Sequence, residues 1–405
     1  MIPLLSLALA ASSYPFHVYV GNLSEHSLTL AWGHADGRRT NTIGYGASST
    51  PATVAIAGRE IKAQRNWVRI EGLASDTDYP YTVKAGDTKT ASGSVRTWPE
   101  RADSFVFFVI GDWGTGKAPQ YAIASRMESE RARLASAGTP VRFIVSTGDN
   151  IYRGGAADSD WERKFFTPYH ATLSAIPFYA VPGNHDGNES ERGADLPTYL
   201  DNFFFPSGKP ARWYSFTFGN LAEFFALDST ANQWPGSPAP AYLEGGEQSA
   251  WLRGVLARSS VPWRIAVLHH PLFTAGPNHL AALPALRHWL RDWQNAGVSV
   301  VFSGHEHNLQ FSERSDATGG MQFVVSGAGG QLRQANVRTR MNASHIAAWA
   351  PRTHFLEVEI AGASMRITPV GDGPITLRDA AGRSLPVPWT IPCRTPAKIS
   401  VSPRP

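Results

Sequence analysis

The chain has 405 residues, 42% of them hydrophobic and 11% aromatic, enough to bury the cores of two domains. Charged residues make up only 17%, which excludes a disordered, tail-like chain. The net charge of +4 comes without a dense Lys/Arg run, which argues against a nucleic-acid partner but still favours anionic substrates.

The N-terminus reads MIPLLSLALAASSYPF. Residues 2–11 are apolar and Ala8-Leu9-Ala10 suits a small-residue cleavage site, although a positive leading segment is missing. Residues 1–15 therefore read as a signal peptide or an N-terminal extension, and the protein as secreted or periplasmic. No later apolar run reaches about 18 residues, so no membrane span is expected. Residues 16–98 hold short alternating runs: His17–Val20, Ser27–Trp32, Trp67–Ile70 and Tyr79–Val83. That spacing predicts an all-β sandwich with Trp32 as a core plug. Leu73, Thr77, Tyr79 and Tyr81 form L-x-x-x-T-x-Y-x-Y, which resembles the tyrosine corner of fibronectin type III domains.

Past residue 99 the pattern changes to strands alternating with helices, an α/β arrangement over residues 99–371. Phe105–Ile110, Val141–Ser146, Phe178–Val181, Ile265–Leu268 and Val298–Ser303 read as buried strands, with helices over 119–138, 247–258 and 280–296. Residues 355–370 read as closing strands, and 372–405 as a tail with little order. Each buried strand ends in a turn that carries donor side chains. The stretches are Gly111-Asp112-Trp113-Gly114, Gly148-Asp149-Asn150-Ile151-Tyr152, Gly183-Asn184-His185-Asp186, His269-His270-Pro271 and Gly304-His305-Glu306-His307. Ligand sites form at the C-terminal ends of strands in such sheets, so these groups can converge on one rim. The single cysteine, Cys393, excludes an intrachain disulfide and a thiolate-held metal, so His, Asp, Asn, Glu or Tyr must serve. Carboxylate, imidazole, amide and phenolate together suit one trivalent and one divalent first-row ion.

The ordered set D-x-G, G-D-x-x-Y, G-N-H, H-x-P and G-H-x-H resembles the calcineurin-like metallophosphoesterases. Tyr152, three residues after Asp149, narrows the resemblance to purple acid phosphatases. GDWG, GDNIY, GHEHNLQ and VVSGAGG look most like the small tartrate-resistant branch, although the front domain looks like that of larger plant members. The resemblance implies a catalytic domain of two β-sheets flanked by helices. It implies that Asp112, Asp149, Tyr152 and His307 hold Fe(III), and that Asn184, His269 and His305 hold a second ion, Fe, Zn or Mn, with Asp149 bridging. The implied activity is hydrolysis of small phosphate monoesters, with hydroxide generated at the ion pair attacking phosphorus and His185 assisting the leaving group. Asp186 is expected to orient His185. His279, ten residues after His269, is expected to bind phosphate or donate a proton. His270 reads as a substrate-side neighbour, Glu306 as pointing away from its flanking histidines, and Arg153 as a surface residue.

Two rivals stand beside this reading. A phosphodiesterase or nucleotide pyrophosphatase would use the same metal core, the choice being set by loops such as 187–212 and 230–246. A non-catalytic binding or adhesion protein would use the fibronectin III-like domain, and the complete ligand set argues against it.

Overall fold

The computed structural model describes residues 16–33, 51–87, 89–152, 158–186, 196–230 and 240–394. Residues 1–15, Arg153 and parts of the loops 187–212 and 230–246 lie outside that set.

Alternation of apolar and polar side chains builds the front domain. Its strands are β1 (His17–Gly21), β2 (Ser27–Gly33), β3 (Ala52–Ile56), β4 (Arg59–Ala63), β5 (Trp67–Glu71), β6 (Asp78–Ala85) and β7 (Lys89–Arg96). They form two sheets, ordered β1-β2-β5 and β4-β3-β6-β7, all pairs antiparallel. Trp32 is fully buried between them, as its place in an alternating run predicts. The Tyr79 hydroxyl accepts the Ala74 N–H at 2.8 Å, a bond from the tyrosine back to the chain upstream. Strands β3, β4 and β7 escaped sequence reading. β7 reads KTASGSVR and buries only Val95, so it offers almost no hydrophobic signal.

The second domain follows as β8 (Ser104–Ile110), α1 (Ala118–Ser136), β9 (Val141–Ser146), α2 (Asp158–Trp161), a π-helical turn (Glu162–Phe166), α3 (Thr167–Leu173), β10 (Phe178–Ala180), α4 (Pro197–Asn202), β11 (Tyr214–Phe218) and β12 (Ala222–Ala226). It continues through α5 (Glu247–Arg258), β13 (Trp263–Val267), α6 (Leu283–Ala296), β14 (Val300–Ser303), β15 (Leu309–Ser312), β16 (Gln322–Ser326), α7 (Arg338–Met341) and β17 (Ile346–Ala350). It closes with β18 (Phe355–Ala361), β19 (Ser364–Val370), β20 (Leu377–Arg378), β21 (Ser384–Leu385) and β22 (Trp389–Pro392). One sheet is ordered β10-β9-β8-β18-β19-β22, the other β11-β12-β13-β14-β16-β15-β17-β20-β21.

Aromatic side chains fill the space between these sheets. Phe107 meets Phe224 at 5.1 Å and Phe302 at 6.3 Å between ring centres, and Phe143 meets Phe216 at 5.4 Å. Edge-to-face contacts of this kind add about 0.5–1.5 kcal/mol each beyond the burial itself. Leu252 of α5 and Trp289 and Trp293 of α6 are buried with Ala266 and Val301 of the second sheet, so those helices cover its outer side. The expectation of a tail with little order is corrected as far as Arg394. β22 pairs with β19, and β20 pairs with β17, so residues past 372 extend both sheets.

The two domains meet over a continuous hydrophobic core. Trp98 lies 5.5 Å from Phe143 and 5.2 Å from Phe218 between ring centres. Tyr19 packs 5.2 Å from Phe204, and Tyr81 donates its hydroxyl to the Ser174 carbonyl at 2.5 Å. His17, buried, meets Glu162 of the π-helical turn at 2.8 Å. Within the second domain, β10, β9 and β8 run parallel, as do β12, β13, β14 and β16. Their C-terminal ends therefore share one rim, and the site lies there.

Candidate metal centre

Five strand ends deliver the donor groups. Asp112 follows β8, Asp149 and Tyr152 follow β9, Asn184 and His185 follow β10, His269 follows β13, and His305 and His307 follow β14. The turns are tight. Asp112, Asp149 and His305 have φ of 54°, 52° and 69°, in the left-handed region that costs a non-glycine residue about 1–3 kcal/mol. That strain sits at three of the donors and aims them inward. Two glycines make the approach possible. A Cβ on Gly183 would lie 2.2 Å from Asp149 Oδ1, and one on Gly304 would lie 2.4 Å from Asp112 Oδ2.

The seven residues expected to bind metal converge in two adjoining groups. In the first, the Tyr152 hydroxyl lies 3.0 Å from Asp112 Oδ1 and 3.1 Å from His307 Nε2, and His307 Nε2 lies 3.3 Å from Asp112 Oδ1. In the second, His269 Nε2 lies 3.0 Å from Asn184 Oδ1, 3.2 Å from His305 Nδ1 and 3.3 Å from Asp149 Oδ1. Asp149 therefore touches the second group, and it also forms a compact donor set with Asp112 and His307. His269 Nδ1 lies 2.8 Å from the Thr147 carbonyl, which fixes a proton on that nitrogen and leaves Nε2 for a ligand.

The electrostatics match this geometry. Burial resists charge on both partners of the Asp149–His269 pair. Even so, Asp149 lifts the His269 imidazole to about 9, and His269 with His185 holds the Asp149 carboxyl well below the usual carboxylate range. Burial pushes the Tyr152 phenol well above its ordinary value, and Asp112 and Asp149 push it further. Burial, followed by repulsion from His269, holds His305 far below the normal imidazole range and His270 at about 3. Two buried carboxylates, a phenol that ionises only beside strong positive charge, and the flanking imidazoles form a hard oxygen and nitrogen donor set. These residues fit a pair of first-row cations.

The catalytic candidates part company. The His185 backbone N–H donates to Asp149 Oδ1 at 2.9 Å, its Nε2 lies 3.8 Å from Asp149 Oδ2, and its ring lies 4.4 Å from that of Tyr152. It is partly exposed, beside both donor groups. His279 sits over His305 with ring centres 3.9 Å apart. The expectation that Asp186 orients His185 is corrected. Its buried carboxylate accepts the backbone N–H groups of Gly183, Asn150 and Ile151 and the Asn150 side-chain amide, at 2.8–3.1 Å. Asp186 therefore ties the turn after β9 to the turn after β10, because buried N–H groups there need an acceptor.

Four further residues matter here. His270 joins His269 and His305 as a third imidazole close enough to share an ion, and Ser229 Oγ lies 2.9 Å from its Nδ1. The doublet His269-His270 was the available signal. Glu306 does point away from its neighbours. Its buried carboxylate accepts the N–H groups of Asn278 and His279 at 3.1 and 2.9 Å and so holds the His279 loop against the site. Lys164, buried, donates to the Tyr152 carbonyl at 2.6 Å. Arg333 donates from Nε to His307 Nδ1 at 3.1 Å. Nothing in the sequence separates these last two from surface cations.

Known proteins agree with this picture. The calcineurin-like phosphoesterase family profile matches residues 105–309. Purple acid phosphatase 4 of Arabidopsis thaliana is 30% identical over 259 residues, covering 58% of this chain and 71% of its own. Tartrate-resistant acid phosphatase type 5 of Homo sapiens is 26% identical over 305 residues, covering 69% of this chain and 88% of its own. A purple acid phosphatase from yellow lupin (Lupinus luteus) seeds superposes with a TM-score of 0.65 at 14% identity, over 94% of this chain and 74% of that one. Hydrolysis of phosphoesters at a dinuclear metal centre is the chemistry that this profile, these relatives and these two donor groups share. The chain thus belongs to the calcineurin-like phosphoesterases, within their purple acid phosphatase branch.

Proposed function

We propose that the protein hydrolyses phosphate monoesters, with Fe(III) held by Asp112, Asp149, Tyr152 and His307. A divalent ion (Fe, Zn or Mn) is held by Asn184, His269 and His305, with Asp149 shared. The observation that carries this is the asymmetry of the two donor groups: the Tyr152 hydroxyl stands 3.0 Å from Asp112 Oδ1, and the second group has amide and imidazole instead. A phenolate favours the harder, more highly charged ion. When bound, such a pair clamps a phosphoryl group, lowers the pKa of water and neutralises charge in an in-line displacement.

The chain's own residues supply the rest. His185, partly exposed beside Asp149, donates the proton that the leaving alkoxide needs. His279, held over His305 by Glu306, contacts the phosphoryl oxygens. The front domain is taken as a fibronectin III-like sandwich on its strand order and the Tyr79–Ala74 bond. The protein is taken as secreted or periplasmic on the apolar run at residues 2–11, and no helix among the described residues is long and apolar enough to cross a membrane.

The deciding experiment compares kcat/KM for an aryl phosphate monoester and its matched diester on metal-replete protein. A monoester preference of at least tenfold is expected, and a diester preference would overturn the monoester reading while keeping the metal centre. The iron assignment has its own readout. Tyr152→Phe should abolish the visible tyrosinate absorption of the iron-loaded protein, and an unchanged spectrum would remove Tyr152 from the iron.

A further inference from the structure

A cavity of about 560 Å³ opens against the first donor group, with Tyr152, His185 and His307 in its wall. A phosphoryl group seated on the ions does not need that space. The volume lies within the range of about 300–1,000 Å³ that holds drug-sized ligands, so the cavity is the place for the leaving group. Its charge is one-sided. Lys117, Arg163, Lys164 and Arg333 line it, and no carboxylate does among the described residues. Asp160 pairs with both Arg163 at 3.2 Å and Lys164 at 2.7 Å. Apart from Asp112 and Asp149 of the donor groups behind Tyr152 and His307, Asp160 is the carboxylate set against these four cations, so the outer part of the wall is positive.

These cations are not equivalent. Lys164 is buried and spent on the Tyr152 carbonyl and Asp160. Lys117 and Arg163 are exposed at the rim. Arg333 is exposed and anchored beside the site: its backbone N–H donates to the His307 carbonyl at 2.9 Å and its Nε lies 3.1 Å from His307 Nδ1. A guanidinium anchored beside exposed rim cations is a receptor for an oxyanion.

We propose that this cavity is a subsite for a second anionic group, so that the preferred substrates are phosphate monoesters whose leaving group carries a phosphate, sulfonate or carboxylate reaching Lys117, Arg163 and Arg333. The proposal rests on the monoester reading above. The cations act on the part of the substrate that does not react, so their effect falls on its capture and on KM more than on kcat.

The test uses two esters with closely matched leaving groups, 4-propylphenyl phosphate and 4-(2-sulfonatoethyl)phenyl phosphate, on the metal-replete full chain. The sulfonate ester is expected to show a kcat/KM about tenfold higher at low salt, expressed mainly in KM. That advantage should shrink toward one near 1 M salt, where the screening length falls to about 3 Å. In the Lys117→Ala/Arg163→Ala double variant the ratio of the two esters should fall at least threefold. A wild-type ratio of one or less, or a ratio that neither salt nor the double variant moves, overturns the subsite and leaves the phosphatase reading intact. Turnover of neither ester by wild-type protein overturns both.

Discussion

Asp149→Asn is expected to cost both bound ions and on the order of a thousandfold or more in kcat/KM. Asp149 is buried in the one position that both donor groups reach. Its carboxylate supplies the charge that lifts His269, and its Oδ1 accepts the His185 backbone N–H at 2.9 Å. An amide keeps the shape but carries no charge and turns one acceptor into a donor facing imidazole nitrogens. The metal-free fold should be less stable than wild type, because His269 loses the buried partner that lifts it, although the isosteric side chain keeps the packing. The check is metal content per chain after dialysis, read with kcat/KM and the thermal transition. Retention of two ions with activity within tenfold of wild type would sink the bridging role.

His185→Ala is expected to lower kcat by about 10²- to 10⁴-fold, the usual contribution of a positioned general acid, with two ions still bound. The link from His185 to Asp149 runs through its backbone N–H, and alanine keeps that bond. What is lost is the imidazole, whose Nε2 stands 3.8 Å from Asp149 Oδ2 and whose ring faces the cavity beside Tyr152. Substrates with good leaving groups, such as nitrophenyl esters, should be slowed least, because their departing oxygen needs the proton least. Loss of one ion in the variant would instead make His185 a ligand, and an equal loss for good and poor leaving groups would rule out proton donation.

The strand-end motifs were the most legible part of the molecule. Each pairs a buried apolar run with a Gly or Pro turn, and a donor that must turn inward there cannot be mistaken for a solvated side chain. The β-sandwich was half visible: β1, β2, β5 and β6 carry the alternation, whereas β7 has small and polar side chains over most of its length. The segment 158–173, which supplies Glu162, Arg163 and Lys164, carries no clean helical period because its three short turns change pitch from α to π and back. Its value lies in tertiary contacts, and periodicity cannot report those. Asp186 shows the opposite failure. Its place beside His185 suggested a catalytic partner, and only the structure reveals the N–H groups of Gly183, Asn150 and Ile151 waiting for its carboxylate.

The seam between the domains also bears on how the gene can be cut. Thr97-Trp98-Pro99-Glu100 joins the two domains, and Trp98 within it is buried against Phe143 and Phe218 of the second domain. Glu162, in the same π-helical turn as Lys164, shares a buried 2.8 Å hydrogen bond with His17 of the front domain. A truncation starting at residue 99 would therefore strip Trp98 from the aromatic cluster of the catalytic half and remove the His17 contact to the buried Glu162. The two halves share one core, so cutting the gene at the domain boundary would expose surface that the catalytic half buries.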